Sequence, residues 1–174
     1  FLIGLFFSLV STSLIVSDKL DTNDYSFFFK HLIFIFLGTI IIFIFSSFNQ
    51  KKLLKYSLII FFFSLFFLIL VPFIGIEVKG SKRWIDLYLL PRFQPIELVK
   101  PFLIIFISII LSSEKYSNIY FKYLLLFLLT LLIVLLLALQ PDIGQTLLIL
   151  FTWSILIFTS GINLIFLLIL FLIL

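Results

Sequence analysis

Long blocks of Phe, Ile and Leu, each closed by a short polar stretch, set the rhythm of this 174-residue chain. The blocks run over about Phe1–Val16, His31–Phe48, Leu53–Pro72, Pro95 or Glu97–Ser112, and Leu124–Phe158, with another starting near Leu164. Several reach the roughly 18 to 20 apolar residues that carry a helix across about 30 Å of hydrocarbon. None shows the short alternating segments of a membrane β-barrel. The block from Leu124 is about 35 residues long and would make a helix of roughly 50 Å, too long for one crossing. It is expected to break at Gln140–Pro141–Asp142–Ile143–Gly144, where Pro removes a backbone donor and Gly relaxes the chain. Ser160–Gly161–Ile162–Asn163 makes a second turn. The pattern therefore predicts an all-α, polytopic α-helical integral membrane protein with about six complete spans and the start of a seventh.

Composition agrees: 64% hydrophobic and 11% charged, with a mean hydropathy of +1.39. Ordinary soluble domains are about half apolar and a quarter charged. There is no Cys and a single His, His31, which excludes disulfides, thiolate chemistry and multi-His metal centres. The chain starts at Phe1 without Met and stops at Leu174 inside an apolar run, so a fragment of a longer protein is expected. The first block lacks the charged leader and cleavage site of a signal peptide and is read as a retained span. The net charge of +4 does not signal nucleic acid, because no soluble basic face exists to carry it; Lys51 and Lys52 suit lipid headgroups.

Charge concentrates in Glu77–Lys100, EVKGSKRWIDLYLLPRFQPIELVK, which holds five of the twelve basic residues. Lys79, Lys82, Arg83 and Arg92 could grip a polyanion such as a lipid diphosphate, with Arg offering bidentate contacts. Trp84 and Tyr88 suit a membrane interface or could stack on a sugar; the plainer alternative is an amphipathic loop anchored by Trp and Lys. Asp86 reads as a surface group. Asp18, Asp21 and Asp24 read as a solvated loop, lacking the spacing of a calcium site. Glu97 and Lys100 share one helix face. Lys100, a turn inside the apolar run, is costly unless it snorkels or pairs, and Asp142 is the acid placed to pair with it. In the plainer reading Lys100 snorkels and Asp142 caps the sixth span. Lys and Arg number seven on the side of this loop and five on the other, a tally that puts it in the cytoplasm, although seven of the eight acids share its side.

Laid out in this way, the chain resembles the SEDS (FtsW/RodA) family of bacterial cell-wall proteins. The carrying motifs are GIEVKGSKRWIDL (Gly75–Leu87), FQPIELVK (Phe93–Lys100), QPDIGQ (Gln140–Gln145) and the turn FTSG (Phe158–Gly161). Ile96 stands where the pattern has a small residue, and Gln145 where it has Thr or Ser. The resemblance covers nearly the whole chain and is nearer to the division branch, FtsW, than to the elongation branch, RodA.

The resemblance implies one transmembrane domain over 1–174, the N-terminal portion of a roughly ten-span protein, with loop 74–96 on the outer face of the bacterial plasma membrane against the charge tally. It implies a glycosyltransferase polymerising lipid II into glycan strands, with a class B penicillin-binding protein, divisome proteins and membrane lipids as partners. A lipid II flippase is the rival function, and a scaffold recruiting the penicillin-binding protein a third. Lys79, Lys82, Arg83, Trp84, Arg92, Gln94, Glu97, Lys100, Gln140 and Asp142 are the substrate-side candidates, and the family's catalytic aspartate is expected beyond Leu174. No cofactor or metal site is evident; the sequence leaves a divalent cation open.

Overall fold

The computed structural model describes residues 4, 7, 26–78, 80–86, 92–114 and 118–173. The first block apart from Gly4 and Phe7, the loop acids Asp18, Asp21 and Asp24, and Lys79 and Tyr88 lie outside the described residues. Among the described residues, six longer helices and one hairpin follow in order: α1 (Ser26–Ser46), α2 (Gln50–Ile74), β1 (Ile76–Val78), β2 (Ser81–Trp84), α3 (Pro95–Ser112), α4 (Ile119–Leu139), α5 (Ile143–Thr159) and α6 (Leu164–Ile173). Four of them, α1 to α4, are long and apolar enough to cross a membrane. At 17 residues, α5 is about 26 Å long, just short of the hydrocarbon core. The expected breaks fall where the sequence puts them: α4 stops at Leu139 and α5 starts at Ile143, while α6 starts at Leu164. The second block becomes helical earlier than its apolar run suggests, at Ser26 instead of His31.

The chain forms two compact units, residues 1–53 and 54–174. In the first, α1 exposes Phe29, Phe34, Phe36 and Phe43 along its length, the surface expected of a helix facing lipid. The second holds a packed core. Its helices each bury one stripe: Phe61, Leu65, Leu68 and Val71 on α2; Ile96, Val99, Leu103 and Ile107 on α3; Leu126, Ile133 and Leu137 on α4; Ile149, Trp153 and Ile157 on α5. These positions mostly recur three or four residues apart, the spacing that stacks side chains on one helical face. Phe61 stacks on Phe106 at 4.7 Å between centroids, joining α2 to α3, and Phe127 meets Trp153 between α4 and α5. The opposite faces are equally apolar but exposed, as at Phe66, Leu128 and Phe151.

Two hydroxyls inside the core bond to their own helices, whereas Trp153 Nε1 and Ser154 Oγ on α5 have no partner among the described residues. Ser64 donates to the Phe61 carbonyl at 2.9 Å and Thr130 to the Leu126 carbonyl at 2.8 Å, the usual resort of hydroxyls on helices that cannot reach water. At one end of the core, Lys122 is buried, and its Nζ donates to the carbonyls of Leu111 (2.9 Å) and Ser113 (2.6 Å). A cation thus closes the orphan carbonyls at the C-terminus of α3, where the helix dipole favours it. At the same end Tyr123 on α4 meets Ser160, just past α5, with 3.1 Å between hydroxyls. At the other end stands the hairpin.

Candidate functional site

The hairpin starts where α2 cannot continue. Gly75 follows the helix directly, its N–H bonded to the Val71 carbonyl at 2.8 Å. A Cβ on Gly75 would lie 2.4 Å from that same oxygen, so only glycine fits. β1 and β2 then pair antiparallel, with Glu77 opposite Lys82 and Val78 opposite Ser81, and Gly80 turns the chain at φ +81°. Beyond β2, Ile85 and Phe93 exchange backbone hydrogen bonds at 3.0 and 3.2 Å, which closes the loop and delivers Gln94 as the N-cap residue of α3. Phe93 anchors the return by packing its ring edge-on against Phe67 of α2. Pro95, first in α3, sits where its missing N–H has no cost.

Two charged nodes result. In the first, Arg83 reaches the α4–α5 turn: its Nε donates to the Gln140 carbonyl (3.2 Å) and its Nη2 to the Pro141 carbonyl (2.6 Å). Asp142 closes the node, with Oδ2 at 3.5 Å from Arg83 Nε and accepting from Gln94 Nε2 at 3.2 Å. Asp142 is also the N-cap of α5, where its Oδ1 accepts from the Gln145 N–H at 3.4 Å. A carboxylate at that point offsets the helix dipole and meets an orphan donor. In the second node, Lys100 Nζ lies 2.7 Å from Glu97 Oε2, and Glu97 Oε1 accepts from Gln145 Nε2 at 3.0 Å. Pro101, one residue on, withholds the helical hydrogen bond that the Glu97 carbonyl would otherwise receive.

The expected Lys100–Asp142 pair is not formed. Lys100 pairs within its own helix with Glu97, and Asp142 pairs with Arg83. The physical reason is reach: an i,i+3 acid is always available to Lys100, whereas Asp142 is held at the helix cap by donors from other segments. Asp142 keeps the capping role that the plainer reading gave it. Arg83, one of the candidate anion-gripping residues, is spent largely on the protein itself.

The remaining candidates divide by exposure. Lys82 and Trp84 are exposed on β2, and Arg92 is exposed while pairing with Asp86 at 3.0 Å. Gln140 is buried, and its side-chain Oε1 and Nε2 have no protein partner among the described residues. Ile96, where the family pattern is small, is fully buried in the α3 stripe. Beside the first node, an open pocket of about 340 Å³ is lined by Ala138, Pro141, Asp142, Ile143, Thr146 and Leu147. Sequence reasoning singled out Gln145 only as a departure and missed its bond to Glu97. The signal was present: an amide within the first turn of a helix whose cap is already assigned has its side chain free for a neighbour.

Long apolar helices around a packed core, tied at one end by a charged hairpin, define a polytopic α-helical membrane protein with its polar site at that end. The family model FTSW_RODA_SPOVE, described as "Cell cycle protein", matches residues 1–174. The chain belongs to this FtsW/RodA/SpoVE family.

Two curated relatives carry the name "Probable peptidoglycan glycosyltransferase FtsW". The protein of Haemophilus influenzae is 31% identical over 163 residues, covering 92% of this chain and 41% of the relative. That of Wigglesworthia glossinidia brevipalpis is 34% identical over 173 residues, covering 92% and 45%. Among solved structures, the rod shape determining protein RodA of Thermus thermophilus superposes with a TM-score of 0.72 at 27% identity, over 99% of this chain and 56% of that one. A chain from a structure described as "Structural coordination of polymerization and crosslinking by a peptidoglycan synthase complex" gives 0.71 at 28% identity, over 96% and 50%. The chain thus spans less than half the length of these curated relatives.

Proposed function

We propose that the full-length protein is a membrane-embedded peptidoglycan glycosyltransferase. It polymerises lipid II into glycan strands during division, forming a glycosidic bond and releasing undecaprenyl diphosphate. The observation that carries this reading is the family match along residues 1–174, joined to relatives named as peptidoglycan glycosyltransferases. The site geometry supports it. Lys100 is a cation held near the start of α3, and Lys82 and Arg92 stand exposed in the segment that leads into that helix. A lipid-linked diphosphate needs cations at that level, where the low dielectric strengthens charge-assisted hydrogen bonds.

In this reading the protein lies in the bacterial plasma membrane, and residues 74–96 face the outside, where lipid-linked precursor is consumed. The partner is a class B penicillin-binding protein that cross-links the strands, within the divisome. Likeness to a chain of a peptidoglycan synthase complex, described as coordinating polymerization and crosslinking, supports that partner.

The test is reconstitution of the full-length protein with its penicillin-binding partner in lipid vesicles supplied with lipid II. Glycan chains resolved by electrophoresis are the expected product. Translocation of lipid II without polymer would sink the reading in favour of a flippase. Chelation in the same assay decides whether a divalent cation takes part, and depletion in cells separates division (filaments) from elongation (rounded cells).

A further inference from the structure

Among the described residues, Gln145 touches both charged nodes. Its backbone N–H donates to Asp142 Oδ1 at 3.4 Å, and its side-chain Nε2 donates to Glu97 Oε1 at 3.0 Å. The other oxygen of Glu97 holds Lys100 Nζ at 2.7 Å. Ammonium, carboxylate and amide therefore form a continuous line from α3 to α5. Donors and acceptors are matched along it: Lys100 offers only N–H, Glu97 only lone pairs, and Gln145 an N–H.

The Glu97 side chain is 52% exposed. An i,i+3 ion pair with one half-solvated partner has little hold on its own geometry, because water competes for both ends and long side chains keep rotamer entropy. The bond from Gln145 changes that. It fixes one carboxylate oxygen from a second helix and leaves the other for Lys100 alone. Gln145 is itself fixed at the first turn of α5, which Asp142 caps and Arg83 ties to the hairpin. A Ser or Thr hydroxyl at this position would sit closer to its own backbone and lacks the reach of the Gln amide.

We propose that Gln145 is a positioning residue, whose side-chain amide clamps Glu97 so that Lys100 presents its ammonium in one orientation to the lipid-linked diphosphate. The inference rests on the proposed reading of Lys100 as a cation for that substrate. It adds that the orientation is set from α5 and not by α3 alone.

The experiment compares Gln145→Leu, Gln145→Glu and the exchanged pair Glu97→Gln with Gln145→Glu in the full-length protein, using lipid II as substrate. Gln145→Leu should lower kcat by about tenfold while KM changes by less than about threefold, because a disordered cation is costliest where charge develops. Gln145→Glu should be worse, setting a carboxylate against Glu97. The exchanged pair restores the line: Lys100 donates to the amide oxygen now at position 97, and that amide's N–H donates to the carboxylate now at position 145. It should regain at least about tenfold over Gln145→Glu. A merely structural role for Gln145 predicts kcat per folded molecule unchanged in all three variants. Gln145→Leu with kcat within about twofold of the parent, or an exchanged pair no better than Gln145→Glu, overturns the proposal. Thermal unfolding of Glu97→Gln, Gln145→Leu and their combination checks the contact independently of activity: the two effects should be non-additive. If the parent protein makes no glycan, the glycosyltransferase reading fails, and that unfolding cycle alone decides whether the clamp exists.

Discussion

Arg83 Nε lies 3.5 Å from Asp142 Oδ2, and the same guanidinium holds the carbonyls of Gln140 and Pro141. One side chain thus ties the hairpin to the turn between α4 and α5. The planar fork of Arg holds Nε and Nη2 at a fixed separation that spans these acceptors, whereas the donors of an ammonium all radiate from one nitrogen. Arg83→Lys should keep the charge yet destabilise the protein, and Arg83→Met should cost more, about 1–3 kcal/mol given that hydrogen bonds to a charged group are lost. The Arg83 side chain is 33% exposed, and solvent screening holds the loss to the lower part of that range. Thermal unfolding in detergent gives the check. Equal midpoints for parent and Arg83→Met would mean that the clamp contributes nothing.

Lys100 is the position at which the proposed function and stability can be told apart. Its partner Glu97 is half exposed, so the pair itself adds little to folding. Replacing the ammonium with an apolar chain of similar length removes a cation near the start of α3 and leaves the Gln145–Glu97 bond in place. Lys100→Met should therefore abolish glycan polymerisation by the full-length protein with the unfolding midpoint nearly unchanged. Retained polymerase activity in that variant counts directly against the role given to Lys100.

Helix boundaries were legible because they depend on local chemistry. Pro141, Asp142 and Gly161 break apolar runs wherever those runs pack, and α4, α5 and α6 end and begin beside them. Which face each helix buries was not legible. In a soluble bundle the polar face marks the outside, but here Phe66 and Leu128 on the exposed side are as apolar as Phe61 and Leu126 inside. The hairpin was read only as a loop, since Ile76–Val78 and Ser81–Trp84 are too short to show alternation. Within the site, one expected pair was misassigned. Depth along a helix suggested Lys100 with Asp142, whereas Lys100 takes the nearer Glu97 on its own helix face and Asp142 goes to Arg83, brought to it by a hairpin that the sequence showed only as a loop.

Nothing in the sequence marks Lys122, yet it is buried at the end of the core opposite the hairpin. Its ammonium answers the carbonyls of Leu111 and Ser113. Removing the donor leaves acceptors unmet near an apolar layer, a loss of about 1–3 kcal/mol. Lys122→Met should lower the unfolding midpoint and leave lipid II polymerisation per folded molecule unaltered, since the hairpin site lies at the other end. A midpoint matching that of the parent would show that water meets those carbonyls as well as the lysine does.

Gly75 joins α2 to the hairpin and offers the sharpest steric test. Its backbone approaches Val71 so closely that a Cβ would stand 2.4 Å from the Val71 carbonyl oxygen and 3.2 Å from Val71 Cγ1. The first of these is a backbone atom inside a helix, so a rotamer change cannot relieve the contact. Gly75→Ala must break the 2.8 Å hydrogen bond from the Gly75 N–H or push the start of β1 away from α2. Backbone displacement of that kind costs about 1–3 kcal/mol. It should also misplace Arg83, because β2 is registered on β1 through Ile76 and Trp84. Gly75→Ala is therefore expected to lose stability and polymerase activity together, unlike Lys100→Met, and Gly75→Ser should behave alike. The contrast with Gly80 makes the test specific. Gly80 meets nothing within 4 Å but holds φ +81°, so Gly80→Asn, a residue that tolerates positive φ, should be nearly silent where Gly75→Asn is not. Parallel behaviour of the two Asn variants, in unfolding midpoint or in activity, would show that the close approach at Gly75 does not constrain the hairpin.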